Sequence, residues 1–338
     1  IQNTSLTEIW DSQWMNDFRQ RFINEEKRPE CHRCWDDEAA GTVSLRQQIS
    51  YIIPQDQIDY PQVDEIILKF SNKCNCACRI CDWYLSSLWE SELAKTKRLD
   101  TELHKPWFHG NTENKITEDN WEDWKKHIGN VKQISFYGGE PLINEEAIKV
   151  IDYLVDNDLS KNIRLVTNTN GTVTNKRLFE KINQFKKIDL HFSIDDIGER
   201  YNYERWPSKS NSIMAELKDL HDSDNYDNIN FIFYTTISAF NVLHLGEVLE
   251  KFREYPKWLV NLENLAYIPK EVNLSNMPEE IKPIIENYLM SIDWNNTNWQ
   301  RSNHDYKTPI INWLYSSKSN YTCEEYIKLW DKKFSFDD

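Results

Sequence analysis

The first part of the chain combines short helical patterns with a long polar stretch. Trp14, Phe18 and Phe22 recur every four residues, which places their side chains on one apolar helical face. Short helices are therefore predicted over residues 5–24. Residues 36–62 show no such periodicity and are rich in polar side chains, so we predict that they form loops.

From residue 64 onward, short apolar runs alternate with segments of helical spacing. The predicted strands are 64–71, 132–137, 162–167, 188–194, 229–237 and 258–262. Strands that alternate with helices are typical of parallel βαβ units. Five or six such units favour an α/β fold with a partial (β/α) TIM-like barrel over a short open sheet. In such folds the chemistry lies at the carboxyl ends of the strands.

These patterns divide the chain into three predicted domains. Residues 1–62 form an N-terminal segment, residues 63–268 form the α/β core, and residues 269–338 form a helical C-terminal extension. Since the chain begins with Ile1, we expect the numbering to start inside a longer polypeptide, with the N-terminal segment truncated.

The net charge narrows the classes of partner. The 338 residues carry a formal charge of −15, which repels phosphate backbones and disfavours a general nucleic-acid binder. No apolar run is long enough to span a bilayer, and no signal-peptide pattern is present. We therefore predict a cytoplasmic protein with neither nucleic acid nor membrane as a partner.

Four of the seven cysteines lie close together, directly after the first predicted strand. Cys74, Cys78 and Cys81 have the spacing CxxxCxxC, and Cys76 lies between them. Three thiolates on one loop can bind three irons of a [4Fe–4S] cluster and leave the fourth iron open to a small ligand. The alternative is a zinc site with all four cysteines, although zinc usually takes ligands from separated pairs. In the iron–sulfur interpretation Cys76 is a buried or bystander thiol.

A glycine-rich segment follows the second predicted strand. It reads Phe136-Tyr137-Gly138-Gly139-Glu140-Pro141. Two glycines allow the backbone to approach a ligand closely, and Glu140 can bind a cation. The alternative is a tight turn before a helix.

The cysteine loop and the GGE segment together resemble the radical S-adenosylmethionine (SAM) superfamily. The resemblance implies an enzyme in which a [4Fe–4S] cluster on the three CxxxCxxC cysteines cleaves SAM reductively. The resulting 5′-deoxyadenosyl radical abstracts hydrogen from a substrate. In this family the GGE segment, with Tyr137 before it, holds the amino group of SAM.

Further positions resemble SAM-binding positions of the family. Asn168 follows the third predicted strand, and Ser193 and Asp195 lie at the end of the fourth. By resemblance, these positions correspond to residues that touch the ribose and carboxylate of SAM. Arg205 can pair with that carboxylate. Ile80 stands where many members have an aromatic residue near adenine. The alternatives are a turn at Asn170-Gly171, a cap formed by Ser193 and a surface ion pair formed by Arg205.

The N-terminal segment resembles the SPASM/twitch segment that binds auxiliary clusters. The likeness rests on residues 5–10 and on Cys31-His32-Arg33-Cys34. It implies a second iron–sulfur cluster on Cys31 and Cys34, completed by ligands upstream of the present chain or by Cys323. A zinc site and two free thiols are the alternatives.

Two further residues are candidates for catalysis. Cys323 is isolated in the sequence, so it is either structural or a donor of hydrogen to a substrate radical. His191 lies within the fourth predicted strand and either contacts substrate or is a core histidine.

The SPASM/twitch resemblance also implies partners. It favours a peptide or protein substrate, with a small metabolite as the alternative, and an external reductant of the flavodoxin or ferredoxin type. Two other classes remain: an iron–sulfur protein without SAM chemistry and a zinc-stabilised interaction module.

Overall fold

The structure is a computed structural model that describes most of the chain. The described residues are 5–39, 44–47, 63–95, 118–173, 175–223, 225–267, 269–295, 297–300 and 305–334. The chain divides into two compact units, residues 1–66 with 115–132, and residues 67–114 with 133–338. The predicted three-domain division stays a prediction.

From residue 64 onward the described secondary structure follows the predicted alternation. The predicted loop 36–62 is wrong at its start, because helix His32–Ala39 extends into it; its residues 40–43 and 48–62 lie outside the described residues. Strands β1–β6 are Glu65–Leu68, Gln133–Phe136, Arg164–Thr169, Lys187–Ser193, Ile229–Ile237 and Leu259–Leu265. Helices α1–α13 are Leu6–Trp10, Gln13–Ile23, His32–Ala39, Ser87–Lys95, Glu118–Ile128, Glu145–Asp156, Lys176–Ile182, Gly198–Glu204, Ser210–Asp222, Leu245–Phe252, Lys282–Ser291, Lys307–Leu314 and Cys323–Phe334. Within the described ranges, no helix is both long and apolar enough to cross a membrane.

The six strands form one sheet in chain order, β1 to β6. Each neighbouring pair from β2 to β6 is parallel. Parallel neighbours need a crossover connection, which the intervening helices supply. The predicted α/β class with a parallel sheet is therefore confirmed. The carboxyl ends of parallel strands lie at one edge of the sheet, so the loops after β1, β2 and β3 are brought together there.

The core of the larger unit is an apolar row that crosses the sheet. Ile134, Leu165, Ile188 and Ile229 are in register on four neighbouring strands, and each is buried. Burial of such a side chain contributes about 1.5–3 kcal/mol. The row fixes the register of the strands and thereby the relative position of the loops that follow them.

Helix α6 shows how the sequence specifies a helix that covers this sheet. The Asn144 side chain caps its start by accepting hydrogen bonds from the amides of Glu146 and Ala147. Such a cap is worth about 1 kcal/mol. The buried side chains on the helix recur with helical spacing: Ala147, Val150, Ile151 and Leu154. The cap therefore starts the helix directly after the GGE segment.

In the smaller unit, α1 is joined to α5 by polar contacts. The backbone amide of Leu6 and the hydroxyl of Thr7 donate to the Asp123 carboxylate at 2.7 and 2.8 Å. Ser5 and Glu8 form a capping box at the start of α1, which satisfies amides that a helix leaves unpaired. This unit also contains Cys31 and Cys34, both partly exposed.

The C-terminal helix α13 packs over the larger unit. The Tyr326 hydroxyl and the Trp330 indole N–H both donate to the backbone carbonyl of Glu271. The Trp330 ring lies 4.5 Å from that of Phe240. Both rings, and Ile80 of the cysteine loop, pack against the buried side chains of Ala266 and Val272, so α13 and the loop share one apolar cluster.

Candidate functional site

A cavity of about 330 Å³ lies at the carboxyl ends of the strands. It brings together most of the residues singled out in the larger unit. The lining includes Cys74, Cys76, Cys78, Ile80, Cys81, Gly139, Glu140, Asn168, Asn170, Ser193, Arg205, Thr236, Asn264, Leu265, Ala266 and Tyr267. The cysteine loop and the GGE segment therefore face the same space.

The backbone of the cysteine loop is held by the last residue of α8 and the segment that follows it. The amide of Ala77 donates to the carbonyl of Trp206, and the amide of Arg79 donates to the carbonyl of Glu204, both at 2.7 Å. These two bonds lie on either side of Cys78, which is buried. The loop is thus held by main-chain bonds while its cysteines border the cavity.

Cys76 differs from its three neighbours in its surroundings. Its side chain is only 1% exposed, and its Sγ lies 3.0 Å from the Ser208 hydroxyl. Hydrogen bonding from the Cys76 thiol lowers the pKa of Cys74 to about 6 and also lowers the pKa of Cys78. Burial raises the pKa of Cys81. The backbone amide of Cys76 also donates to Cys74 Sγ at 3.4 Å. These surroundings favour the thiolate form of Cys74 and Cys78, while Cys76 itself stays a buried thiol.

The cysteines are suited to a cluster by their chemistry. Thiolates are the ligands that iron–sulfur clusters take, and binding requires deprotonation. Among the described residues, no three His, Cys, Asp or Glu side chains converge as the ligands of a single metal ion would. The ligands of a cubane bind separate irons, so they need not converge in that way.

The two glycines of the GGE segment allow it to pack directly on the cysteine loop. Gly138 and Gly139 have φ angles of +84° and +58°, which glycine adopts without steric cost. A Cβ on Gly139 would lie 2.2 Å from the carbonyl oxygen of Lys73. The next amide, that of Glu140, donates to the same oxygen at 2.8 Å. A side chain at position 139 is therefore incompatible with this contact.

Glu140 is a buried carboxyl group at the edge of the cavity. Its Oε2 accepts from the amide of Asn170 at 2.6 Å, and its Oε1 accepts from the amide of Leu142 at 3.1 Å. The side chain is 1% exposed, and burial raises its pKa to about 7 despite these hydrogen bonds. Glu140 therefore ties the turn after β2 to the turn after β3.

Asn168 and Ser193 border the cavity, whereas His191 lies behind Asn168. The Nδ1 atom of His191 is 3.0 Å from Asn168 Oδ1, and its ring stacks on Tyr234 with centroids 5.0 Å apart. Burial lowers the pKa of His191 to about 4, so the imidazole is neutral. His191 supports a cavity residue and is not itself in the lining.

Asp195 and Arg205 form a buried ion pair at the cavity wall. The Nε and Nη2 atoms of Arg205 lie 2.7 and 2.5 Å from Asp195 Oδ2. The other carboxylate oxygen accepts from the amide of Thr236 at 2.8 Å. Arg205 Nη1 donates to Cys78 Sγ at 3.7 Å. Arg205 borders the cavity, while Asp195 lies behind it.

Other predicted residues lie outside this cavity. The amide of Tyr137 donates to the Leu68 carbonyl at 3.0 Å, and Gly138 adjoins the Lys69 side chain. Cys323 begins α13, with its Sγ 3.9 Å from the Glu280 carboxylate. The lining of the cavity includes none of these three predicted residues.

The sequence patterns did not single out several lining residues: Leu85 and Ser86 after the cysteine loop, Thr169 and Asn170 at the end of β3, and a larger group at the ends of β5 and β6. The Asn264 side chain donates to the Thr236 hydroxyl at 2.7 Å, and Ala266 and Tyr267 follow β6. The position at a carboxyl strand end was the available signal. A register shift between β5 and β6 near Thr236 changes which side chains face inward, and this could not be foreseen from the apolar pattern.

Comparisons with known proteins place the chain in a family. The family described as "Radical SAM superfamily" matches residues 68–259 of the chain. An uncharacterized protein of Methanocaldococcus jannaschii is 30% identical over 216 residues, which cover 63% of this chain and 66% of that protein. Radical SAM cyclopropyl synthase TigE of Paramaledivibacter caminithermalis is 27% identical over 175 residues, which cover 51% of this chain and 35% of that protein. The chain thus spans about two-thirds and one-third of these relatives.

Among solved structures, native anSMEcpe with bound AdoMet resembles the chain with a TM-score of 0.46 and 16% identity. The match covers 75% of this chain and 62% of that one. The family match spans more than half of the present chain. The family predicted from the cysteine loop and the GGE segment is confirmed: the chain belongs to the radical SAM superfamily.

Proposed function

We propose that this chain is an enzyme that cleaves SAM reductively at a [4Fe–4S] cluster bound by Cys74, Cys78 and Cys81. One observation carries the proposal. The GGE segment is packed on the cysteine loop through the bond from the Glu140 amide to the Lys73 carbonyl. This contact brings a cluster-binding loop and a ligand-binding turn to one cavity.

When bound, the cluster supplies an electron to the sulfonium of SAM, which yields methionine and a 5′-deoxyadenosyl radical. The residues of the chain bind and orient SAM for that step. Glu140 and the backbone of Gly139 border the cavity and accept hydrogen bonds from the amino group. A carboxyl with a pKa near 7 is readily ionised beside an ammonium group, because an opposite charge favours ionisation.

The other end of SAM is accommodated by neutral side chains. Asn168 and Ser193 border the cavity and provide an amide and a hydroxyl for the ribose. Ile80 packs against Ala266 in an apolar cluster, which suits the face of an adenine ring. An aliphatic residue at this position therefore replaces the aromatic one of many relatives.

The substrate and the N-terminal cysteines extend the proposal by analogy. The SPASM/twitch resemblance supports a peptide or protein substrate, an auxiliary cluster on Cys31 and Cys34, and an electron carrier of the flavodoxin or ferredoxin type. Because Cys323 lies beside Glu280 and not in the cavity lining, we propose a structural role for it. A small metabolite is the alternative substrate.

The test is anaerobic reconstitution with iron and sulfide, followed by dithionite and SAM. Release of 5′-deoxyadenosine, measured by liquid chromatography, supports the proposal. The Cys78→Ala variant is expected to lose this activity, while the matched Cys76→Ala variant retains it. Iron binding without cleavage would indicate an iron–sulfur protein of another kind, and zinc in place of iron would indicate a zinc-stabilised module.

A further inference from the structure

One buried cation lies beside a cysteine that we assign to the cluster. Arg205 is 6% exposed and its partner Asp195 is 0% exposed. The guanidinium presents Nε and Nη2 to Asp195 and Nη1 to the sulfur of Cys78. A guanidinium is always charged in proteins, so this positive charge is a fixed feature of the cavity wall.

The remaining groups around Arg205 do not place a second negative charge on it. Burial raises the pKa of both Glu204 and Asp195. Of the two, Asp195 contacts the guanidinium and accepts from the Thr236 amide, and these contacts favour its ionised form. Burial also raises the pKa of Tyr201, so the phenol stays protonated. Asp195 is therefore the one carboxylate directly paired with Arg205 among the described residues, and the cation is shared between this carboxylate and Cys78.

We propose that Arg205 is a positioning residue that raises the reduction potential of the cluster through Cys78, and that the negative charge of Asp195 partly offsets this effect. The inference rests on the proposed function, since it requires a cluster on the three cysteines. Reduction adds one negative charge to the cluster. A cation and an N–H donor at a ligand sulfur stabilise the reduced form, and hydrogen bonds to cluster sulfurs are known to raise the potential.

The pairing of Arg205 with Asp195 predicts that replacing the two residues shifts the reduction potential in opposite directions. Arg205→Gln removes the positive charge and disfavours the reduced cluster. Asp195→Asn removes the negative charge that offsets Arg205, so it favours the reduced cluster. The single amide oxygen of Asn can replace only one of the two carboxylate oxygens that accept from Thr236 and Arg205. A residue needed only for packing would not produce shifts in opposite directions.

The experiment is a redox titration of the reconstituted chain without SAM, followed by electron paramagnetic resonance. We expect Arg205→Gln to lower the ratio of reduced to oxidised cluster about tenfold at a fixed potential, which is about 59 mV for one electron. Arg205→Lys keeps the positive charge, so its reduction potential should lie between those of Arg205→Gln and the wild type. Arg200→Gln is the matched control, since Arg200 pairs with Asp196 at 3.0 Å and with Glu247.

The alternative role of Arg205, pairing with the SAM carboxylate, predicts a different result. In that case Arg205→Gln weakens SAM binding but leaves the potential measured without SAM unchanged, and the inference is overturned. Equal potentials for Asp195→Asn and the wild type would also overturn it, and this variant keeps the test available if Arg205→Gln does not take up iron. A wild-type chain that binds a cluster without cleaving SAM refutes the proposed function alone, whereas one that binds no cluster refutes both.

Discussion

Replacement of Gly139 by alanine tests the contact between the GGE segment and the cysteine loop. An alanine Cβ would lie 2.2 Å from the Lys73 carbonyl oxygen and 2.9 Å from the carbonyl carbon of Asn72. Both neighbours are backbone atoms, so no side-chain rotation relieves the overlap. Either the cysteine loop or the turn after β2 has to move.

Two separate effects lower the free energy of unfolding of Gly139→Ala. Gly139 has a φ angle of +58°, and a left-handed conformation costs alanine about 1–2 kcal/mol. Overpacking that forces a backbone shift costs about 1–3 kcal/mol more. Gly198 provides the matched control, because its φ angle is +60° but a Cβ there meets nothing within 4 Å. Gly198→Ala therefore carries the first cost alone.

The assay is chemical denaturation of both variants without metal, together with iron analysis after anaerobic reconstitution. We expect Gly139→Ala to reduce the free energy of unfolding by about 1–3 kcal/mol more than Gly198→Ala does. It should also bind less iron, while Gly198→Ala binds as much as the wild type. Equal stability and equal iron content in the two variants would refute the account of why glycine occupies position 139.

Burial lowers the pKa of His191 to about 4, while the unfolded chain protonates this histidine near pH 6.5. The free energy of unfolding should therefore fall as the pH drops from about 6.5 to about 4, by at most about 3 kcal/mol, and His191→Gln should flatten this dependence in denaturation series. Cys76→Ala should keep the wild-type iron content but lose about 1–2 kcal/mol of stability with the Ser208 contact, as measured by iron analysis and denaturation. Joint replacement of Cys31 and Cys34 by alanine should lower the iron content to that of one cluster, and the variant should still cleave SAM at the cluster on the three CxxxCxxC cysteines.

Each of these predictions has a contrary outcome. A pH dependence in His191→Gln as steep as in the wild type would show that another group titrates. Loss of iron in Cys76→Ala would favour a site with all four cysteines of the loop. An iron content that does not change when Cys31 and Cys34 are replaced would contradict the proposed auxiliary cluster.

The sequence was most informative where local periodicity controls structure. The apolar run 229–237 predicts a strand, and β5 has the same limits. The prediction is accurate here because most side chains of this run are buried between the neighbouring strands and helices. The last strand was predicted over 258–262 but continues to Leu265. Two of the three added residues, Glu263 and Asn264, are polar. The pairing of Asn264 and Leu265 with β5 keeps this segment extended.

The site was predictable where motifs are contiguous and less so where contacts join distant elements. The CxxxCxxC spacing singles out the three cysteines, and the family resemblance singles out Gly139 and Glu140; all five border one cavity. The pairing of Asp195 with Arg205 and of His191 with Asn168 depends on how strands and loops meet in space. Side chains that bind each other across such distances leave no pattern in the sequence.

The most direct test of the central claim is the product of SAM turnover. The reconstituted wild-type chain, given dithionite and SAM without oxygen, should release 5′-deoxyadenosine and methionine in equal amounts, and Cys78→Ala should release neither. A wild-type chain that contains the cluster and binds SAM, yet forms no 5′-deoxyadenosine on reduction, would contradict the account.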